Sequence, residues 1–299
     1  MTTAPSKTAP VQFYDLNLEL DSNFSLTPAA NSPRIKQAKI QNVTPLQNKQ
    51  GETLPSETTQ PESLVFSPRN SIFITTEEQE GDLAFPFIGE FDLGSGQLRN
   101  IVPIPPRYYP EIEQGTLVQG VQPESGFQVM TIAPDGFSPG GMDPFRLFVA
   151  SSTPLIQDID PNYSPRLRLL HYVIADRASF LVSEMFYPVE TDYQLAELIA
   201  LPESGRFLSL EVNSHGGKIY QVATGDATDT SRVEHLRGNL RQIKPLQKQL
   251  LFDLENLDIP TTQLTGMTLG PKLSNGRQSL VLVGQNSEQM AELLWFGVS

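Results

Sequence analysis

Short apolar runs separated by proline-led turns recur along the chain at a nearly constant spacing. Four units share one order: an apolar run, a turn that begins with proline, and a second apolar run. The spacings between successive turn prolines are 66, 68 and 69 residues, and these prolines are Pro68, Pro134, Pro202 and Pro271. Proline presets the backbone for a turn, and the Gly, Asn and Asp residues that follow tolerate left-handed geometry. Each unit therefore predicts a β-hairpin.

The second runs of these units contain β-branched and aromatic residues at strand length, at 72–74, 147–149, 207–210 and 280–283. Further strand-like runs between the units bring the total to about four strands per repeat, at 85–104, 166–175, 179–189, 217–224 and 248–254. A repeat of four antiparallel strands is typical of a β-propeller. The pattern predicts an all-β, β-propeller-like fold of about four to six blades, and a pair of β-sandwiches is the alternative.

The period is longer than the usual blade of about 40–50 residues, so each blade must carry a long loop. The candidate loops are 107–125, 135–145 and 225–245. The last repeat is short, because only 291–299 follow its second run as a further strand candidate. Propellers commonly close when one terminus completes the blade begun by the other. The strand-like run 11–20 is therefore predicted to complete the last blade.

The chain is predicted to form one domain over 11–299, preceded by a disordered tail at 1–10. Within this domain, 21–60 have the polar composition of a long loop, in which 39–46 are a candidate strand. No run approaches the roughly 18 apolar residues of a membrane helix, and the start of the chain lacks the apolar segment of a secretory signal. We therefore expect a soluble, cytoplasmic protein, exported only if the natural start lies upstream.

The net charge of −13 argues against the basic surfaces that bind nucleic acid or anionic membranes. It is compatible with cations, metal ions or basic protein partners. The chain has no cysteine, which excludes disulfides, zinc–thiolate centres and thiol nucleophiles. The sequence also lacks G-x-S-x-G, H-E-x-x-H, P-loop and dinucleotide-binding motifs, and its three histidines are scattered. No common catalytic motif therefore gives the function.

Three stretches stand in a fixed order along the chain: "QPESLVFSP" (60–68), "SGFQVMTIAPDG" (125–136) and "TQLTGMTLGPKLSNGRQSLVLVGQN" (262–286). They resemble the phytase-like family, described as esterase-like activity of phytase. The family phrases to which they are similar have the form D-P-E-G, G-F-E-G and N-x-E-G, each followed by a hydrophobic run. The resemblance extends over roughly 11–298 and implies a β-propeller. Members usually begin with a further segment, so the resemblance leaves open whether a blade is absent here.

The resemblance also implies that carboxylates at repeated positions converge near the propeller axis. There they could hold calcium, which would assist the hydrolysis of a phosphate or carboxylic ester. By the same resemblance, the candidate catalytic residues are Glu62, Glu77, Glu78 and Glu211, and the candidate metal ligands are Glu62, Glu77 and Asp158. At four positions where the family has an acid this chain has another residue: Gln128, Ser152, Thr265 and Gln285.

These losses of charge favour a phytase-like protein with reduced or lost hydrolase activity that acts as a binding or scaffold module. Its partner would be an unknown protein. The alternative is a calcium-assisted phosphoesterase or esterase that works with the retained acids. A third possibility is a structural subunit whose open edge is completed by another chain. Convergence of the retained carboxylates in one pocket would favour the enzyme.

Overall fold

The computed structural model describes residues 10–20, 35–81, 83–134, 143–176, 178–256, 263–273, 276–285 and 291–298. Among these residues the helical segments are three short 3-10 helices, at Pro106–Tyr108, Ile156–Asp158 and Leu254–Asn256. None of the described residues forms a helix that is long and apolar enough to cross a membrane. Most of the remaining described residues lie in strands and the turns that join them.

The strands, numbered in chain order, are β1 (Gln12–Leu20), β2 (Ile35–Pro45), β3 (Thr59–Phe66), β4 (Ser71–Glu80), β5 (Leu83–Asp92), β6 (Leu98–Ile101), β7 (Glu111–Glu113), β8 (Thr116–Gln119), β9 (Val129–Ile132), β10 (Phe145–Ala150), β11 (Arg166–Ile174), β12 (Ser179–Pro188), β13 (Gln194–Ala200), β14 (Arg206–Val212), β15 (Gly217–Ala223), β16 (Gln247–Asp253), β17 (Gln263–Lys272), β18 (Gln278–Gln285) and β19 (Ala291–Val298).

Four antiparallel sheets follow one another along the chain and form the blades of a β-propeller. Blade 1 is β3–β6, blade 2 is β9–β12, blade 3 is β13–β16 and blade 4 is β17–β19. The first strand of each blade lies beside the first strand of the next, so that β3 contacts β9, β9 contacts β13, and β13 contacts β17. The all-β propeller prediction is confirmed, and each proline-led turn joins the first two strands of a blade.

Hydrophobic layers between neighbouring blades hold the propeller together. Successive side chains of β10 pack on opposite faces of blade 2. Leu147 and Val149 pack towards blade 1, and Phe148 and Ala150 pack towards blade 3. A third layer joins blades 3 and 4 through residues such as Leu210 and Leu282. A strand with both faces buried can be apolar at every position, which is why the second runs of the repeats are so hydrophobic. The layers fix the first two strands of each blade, and these strands carry Glu62, Glu77 and Glu211.

The N-terminal strand does not complete the last blade, so that prediction is wrong. β1 pairs along its length with β2, and blade 4 has three strands among the described residues. Val11 and Phe13 pack instead against Ile72, Ile74 and Phe91 on the outer face of blade 1. β2 follows β1 in the sequence and pairs with it, and an apolar face of blade 1 packs against the start of β1. β1 therefore does not pair with β19. The candidate strand at 39–46 is confirmed, since it lies in β2 apart from its last residue.

The polar stretch 225–245 covers part of the outer edge of blade 2. Thr230 N–H donates to the carbonyl of Glu184 at 2.7 Å, and Leu246 N–H donates to the carbonyl of Phe186 at 2.9 Å. This loop thereby satisfies backbone groups of β12 that would otherwise form an open edge. The predicted tail at 1–10 lies, apart from Pro10, outside the described residues. So do residues 21–34 of the predicted polar loop and 135–142 of another candidate loop.

Candidate functional site

The first strands of the blades carry an irregularity at equivalent places. Register shifts near the starts of β3, β13 and β17 each leave one residue without a direct partner. A bulge of this kind re-aims a side chain and is common beside functional sites. In blade 2 the equivalent residue immediately precedes β9. All four positions lie six residues before a turn proline, and they are Glu62, Gln128, Ala196 and Thr265.

Glu62 is the acid that remains at these bulge positions. Burial raises its pKa to about 7, and the negative charges of Glu77 and Glu124 add to that rise, whereas a hydrogen bond from Gln128 opposes it. Its Oε1 atom is buried without a hydrogen-bond partner. The structure thus brings Glu62, Glu77 and Gln128 together between blades 1 and 2. Glu62 offers an unfilled acceptor and a carboxyl group that is only partly ionised at neutral pH.

Glu77 is fully buried and binds the loop that leads into blade 2. Its carboxylate accepts the backbone N–H of Glu124 at 3.0 Å and that of Gly126 at 3.1 Å. Residue 126 must be small, because a Cβ there would stand 2.7 Å from Glu77 Oε2. The hydrogen bonds use the carboxylate to fix the loop, which gives Glu77 a structural role.

Glu78 lies apart from Glu62 and Glu77. Successive side chains of a strand point to opposite faces of the sheet. Glu77 is opposite Pro86 on β5, whereas Glu78 is opposite Phe85 and exposed. The acidic pair at 77–78 is therefore divided between the two faces of blade 1.

Glu211 lies in a buried cluster between blades 2 and 3. Its Oε1 atom accepts hydrogen bonds from the Tyr187 hydroxyl at 2.6 Å and from Lys248 Nζ. Lys248 Nζ also lies over the rings of Tyr187 and Tyr220, 5.0 and 4.1 Å from their centroids. Burial lowers the pKa of Lys248, although Glu211 opposes that shift. Glu211 is thus the carboxylate of a buried ion pair.

Asp158 belongs to a third cluster, centred on the fully buried Arg168. Arg168 donates to the two oxygens of Asp158 at 2.6 and 3.0 Å and to Glu184 Oε1 at 2.5 Å. Its remaining donors reach the carbonyls of Val233 and Glu234, in the loop that covers β12. Among the residues that the structure describes, no three Asp, Glu, His or Cys side chains form a group that could hold a metal ion. Of the predicted ligands, Glu62 and Glu77 lie close together, whereas Asp158 is held by Arg168 in a different cluster.

The substituted family positions differ in burial. Ser152 is buried, its Oγ has no hydrogen-bond partner, and its carbonyl accepts the N–H of Leu195 at 3.3 Å. Thr265 and Gln285 are exposed on blade 4.

Further buried oxygens without a hydrogen-bond partner lie in blades 1, 2 and 3. They are Thr76 Oγ1 in blade 1, Thr153 Oγ1 in blade 2 and Glu211 Oε2 in blade 3. Thr76 is opposite Pro61, and Glu211 is opposite Leu195, each next to a bulge. Buried oxygens of this kind are usually bound by a ligand or by ordered water.

Glu197 was missed by the sequence analysis. It follows the bulge of β13, and burial raises its pKa to about 8, although backbone hydrogen bonds from Leu198 and Met267 lower it. A Cβ on Gly266 would lie 3.8 Å from its Oε2 atom, so Glu197 faces blade 4. The spacing to the turn prolines could have revealed it, because Glu197 is five residues before Pro202 and beside the equivalent of Glu62.

The comparisons with known proteins give one match. The family model of the phytase-like proteins, described as esterase-like activity of phytase, matches residues 3–286. The search of curated proteins and the search of solved structures found no match. Because the family model matches nearly the whole chain, this protein belongs to the phytase-like family.

Proposed function

We propose that this phytase-like propeller has reduced or lost hydrolase activity and acts as a binding or scaffold module for a protein partner. The observation that supports it is that most of the retained acids are already bound within the protein. Glu77 holds the backbone of a loop, Glu211 is paired with Lys248, and Asp158 is paired with Arg168. Carboxylates engaged in this way are poorly available to a metal ion or a substrate.

The residues at the bulge positions are also a poor set of calcium ligands. Calcium takes six to eight oxygen ligands, several of them anionic. Gln128, Ala196 and Thr265 provide no charge, which leaves Glu62 as the single carboxylate of this set. One anionic ligand fits calcium poorly. The propeller scaffold is nevertheless intact, as a binding module requires.

A calcium-assisted phosphoesterase or esterase is the second candidate, and Glu62 is the observation that favours it. Its buried Oε1 atom has no partner and lies in a group with Glu77 and Glu124. A carboxyl group with a pKa near the working pH is also suited to general acid–base catalysis. In this reading Glu62 would act on the substrate, while Glu77 would keep the neighbouring loop in place.

The two proposed functions predict different rates of ester hydrolysis. The purified chain would be assayed with p-nitrophenyl phosphate and p-nitrophenyl acetate, with calcium and with a chelator. We expect no calcium-dependent turnover above background from folded protein. Calcium-dependent turnover that is lost in Glu62→Gln and kept in Glu203→Gln would instead establish the enzyme. Glu203 is a suitable control because it is exposed in the proline-led turn of blade 3.

A further inference from the structure

A cavity of about 520 Å3 lies on the side of blade 1, between the β4–β5 hairpin and the segment that leads into β3. Three aromatic rings line it, from Phe85, Phe87 and Tyr109. The ionisable groups of the lining are the carboxylates of Glu78 and Glu80 and the phenol of Tyr109. The cavity is separate from the group formed by Glu62, Glu77 and Gln128.

The strand register places these side chains on one face. Glu78 is directly opposite Phe85, and Thr76 is directly opposite Phe87. Directly opposite residues of an antiparallel pair share a face, so the aromatic rings and the carboxylate are neighbours. The Phe87 ring lies against Gly89, where a Cβ would be 2.6 Å from the ring carbon Cε1. The floor of the cavity is therefore packed in place.

The opposite wall is also fixed by hydrogen bonds. Thr59 N–H donates to the carbonyl of Pro55 at 3.1 Å, and Gln79 N–H donates to the carbonyl of Thr58 at 3.2 Å. These bonds tie the segment before β3 to its own turn and to the β4–β5 hairpin. The cavity is thus formed by backbone that is held on both sides.

The charge around the cavity has one sign. The sequence has no Lys or Arg at 51–66 or at 71–92, the two segments that supply most of the lining. Arg107, near Tyr109, donates instead to the carbonyls of Ser231 and Val233. Within the described ranges no basic side chain forms an ion pair with Glu78 or Glu80. A cation that entered would meet both carboxylates, and no Lys or Arg is among the lining residues.

We propose that this cavity binds an organic cation, meaning a protonated or alkylated amine that carries apolar carbon. Aromatic faces attract such cations through their quadrupoles, and a nearby carboxylate adds direct attraction. The apolar lining would contact the carbon atoms, and Glu78 and Glu80 would neutralise the charge. The cation could be a free small amine or the side chain of a Lys or Arg in a basic peptide. The inference holds whether or not the chain hydrolyses esters.

The first experiment compares choline with its uncharged isostere, 3,3-dimethylbutan-1-ol, in NMR titrations of the full chain. Because the two molecules have nearly the same shape, a preference for choline reports recognition of charge. We expect choline to bind at least threefold more tightly at low salt, and its binding to weaken as salt is added. Equal or tighter binding of the neutral alcohol, or no binding of choline, would overturn the proposal.

Variants of the lining locate the binding. Glu78→Gln and Glu80→Gln should each lower the affinity for choline about 2- to 5-fold, and Phe85→Leu should do the same because it removes an aromatic face but keeps apolar volume. Glu203→Gln should leave the affinity unchanged. If the Glu78 and Glu80 variants bind choline as the parent does, the assigned cavity is wrong.

A second set of titrations distinguishes a free small amine from the side chain of a peptide. A short uncharged peptide with a single trimethyl-lysine, and the same peptide with unmodified lysine, would be titrated alongside choline. Tighter binding of a peptide than of choline would identify a side chain as the natural ligand. Tighter binding of choline would identify a small free amine. Either result requires the same loss of affinity in Glu78→Gln, and without that loss the site is not the one proposed.

Discussion

Glu77 and Gly126 approach each other so closely that any side chain at residue 126 would collide with the carboxylate. Gly126 N–H donates to Glu77 Oε2 at 3.1 Å, and a Cβ would stand 2.7 Å from the same oxygen. The contact joins the second strand of blade 1 to the segment that leads into β9, two residues before Gln128. An acid predicted to be catalytic thus sets the path of the chain into the next blade.

Gly126→Ala should destabilise the protein by about 1–3 kcal/mol. The new methyl group would push the buried carboxylate away from the two N–H groups that it now accepts, and unpaired buried polar groups are costly. Urea unfolding followed by circular dichroism measures the change. Gly94→Ala is the matched control, because Gly94 lies in an exposed turn where a Cβ would make an ordinary contact. Equal effects of the two substitutions would contradict this account.

Asp158→Ala should cost far more, about 3–5 kcal/mol, because it leaves Arg168 buried beside a single carboxylate. Arg168 is fully buried, and its side chain also anchors Val233 and Glu234. Hydrogen exchange should therefore increase in the loop 229–238 before it does elsewhere.

The control for this pair is Asp226→Ala. Asp226 pairs with Lys244, but both side chains are more than half exposed, with fractions of 58% and 64%. Exposed ion pairs contribute little to stability, so this change should be small. A similar loss of stability in both variants would show that burial is not what makes the Arg168 cluster important.

The sequence predicted the blades because their signals are local. Each proline-led turn lies within about twenty residues of the strands that it joins, and the spacing of Pro68, Pro134, Pro202 and Pro271 predicted about four to six blades, of which the structure shows four. The resemblance to the family phrases related Glu62, Gln128 and Thr265 to one another before the structure showed the bulges.

Partners that come from distant segments could not be predicted in this way. Phe13 packs on blade 1 because an apolar face is available there, which no local pattern of β1 reveals. Lys248 reaches Glu211 across 37 residues of sequence, and the chain contains many lysines that could have done so. The roles of the retained acids depend on such partners, so their sequence positions alone suggested a site that the structure divides into three clusters.

Glu62→Gln should change stability in a manner that depends on pH. Burial raises the folded-state pKa of Glu62 from 4.5 to about 7. Between these values the unfolded chain releases a proton that the folded chain keeps, so the parent loses stability as the pH rises. Glu62→Gln has no ionisable group at this position, so its stability does not fall for this reason. It should be close to the parent at pH 4 and more stable by about 1–3 kcal/mol at pH 8.

Urea unfolding at pH 4, 6 and 8 measures the difference for Glu62→Gln, and Glu203→Gln provides an exposed control. A difference that stays constant over this range would mean that Glu62 ionises normally. Added calcium offers a second readout, since a cation at Glu62 would favour the ionised form and stabilise the parent at pH 8 but not the variant.

Lys248→Met should destabilise the protein by about 3–5 kcal/mol at pH 7, because it leaves the buried Glu211 carboxylate without its cation. Lys218→Met is the matched control. Lys218 also pairs with a carboxylate and lies over a tyrosine ring, but its partner Glu190 is exposed by 48%, so its loss should cost about 1 kcal/mol or less.

Glu211→Gln in the Lys248→Met background completes the test, because it removes the charge that was left unpaired. The double variant should be less destabilised than the sum of the two single variants, and the coupling measures the buried pair itself. The folded-state pKa of Lys248 is below its ordinary 10.5, so the folded parent holds that proton less tightly than the unfolded chain does. The parent should therefore gain stability relative to Lys248→Met as the pH rises towards 10.5. If the two single effects add without coupling, Glu211 does not depend on Lys248, and its carboxylate would again be available as a ligand or catalytic group.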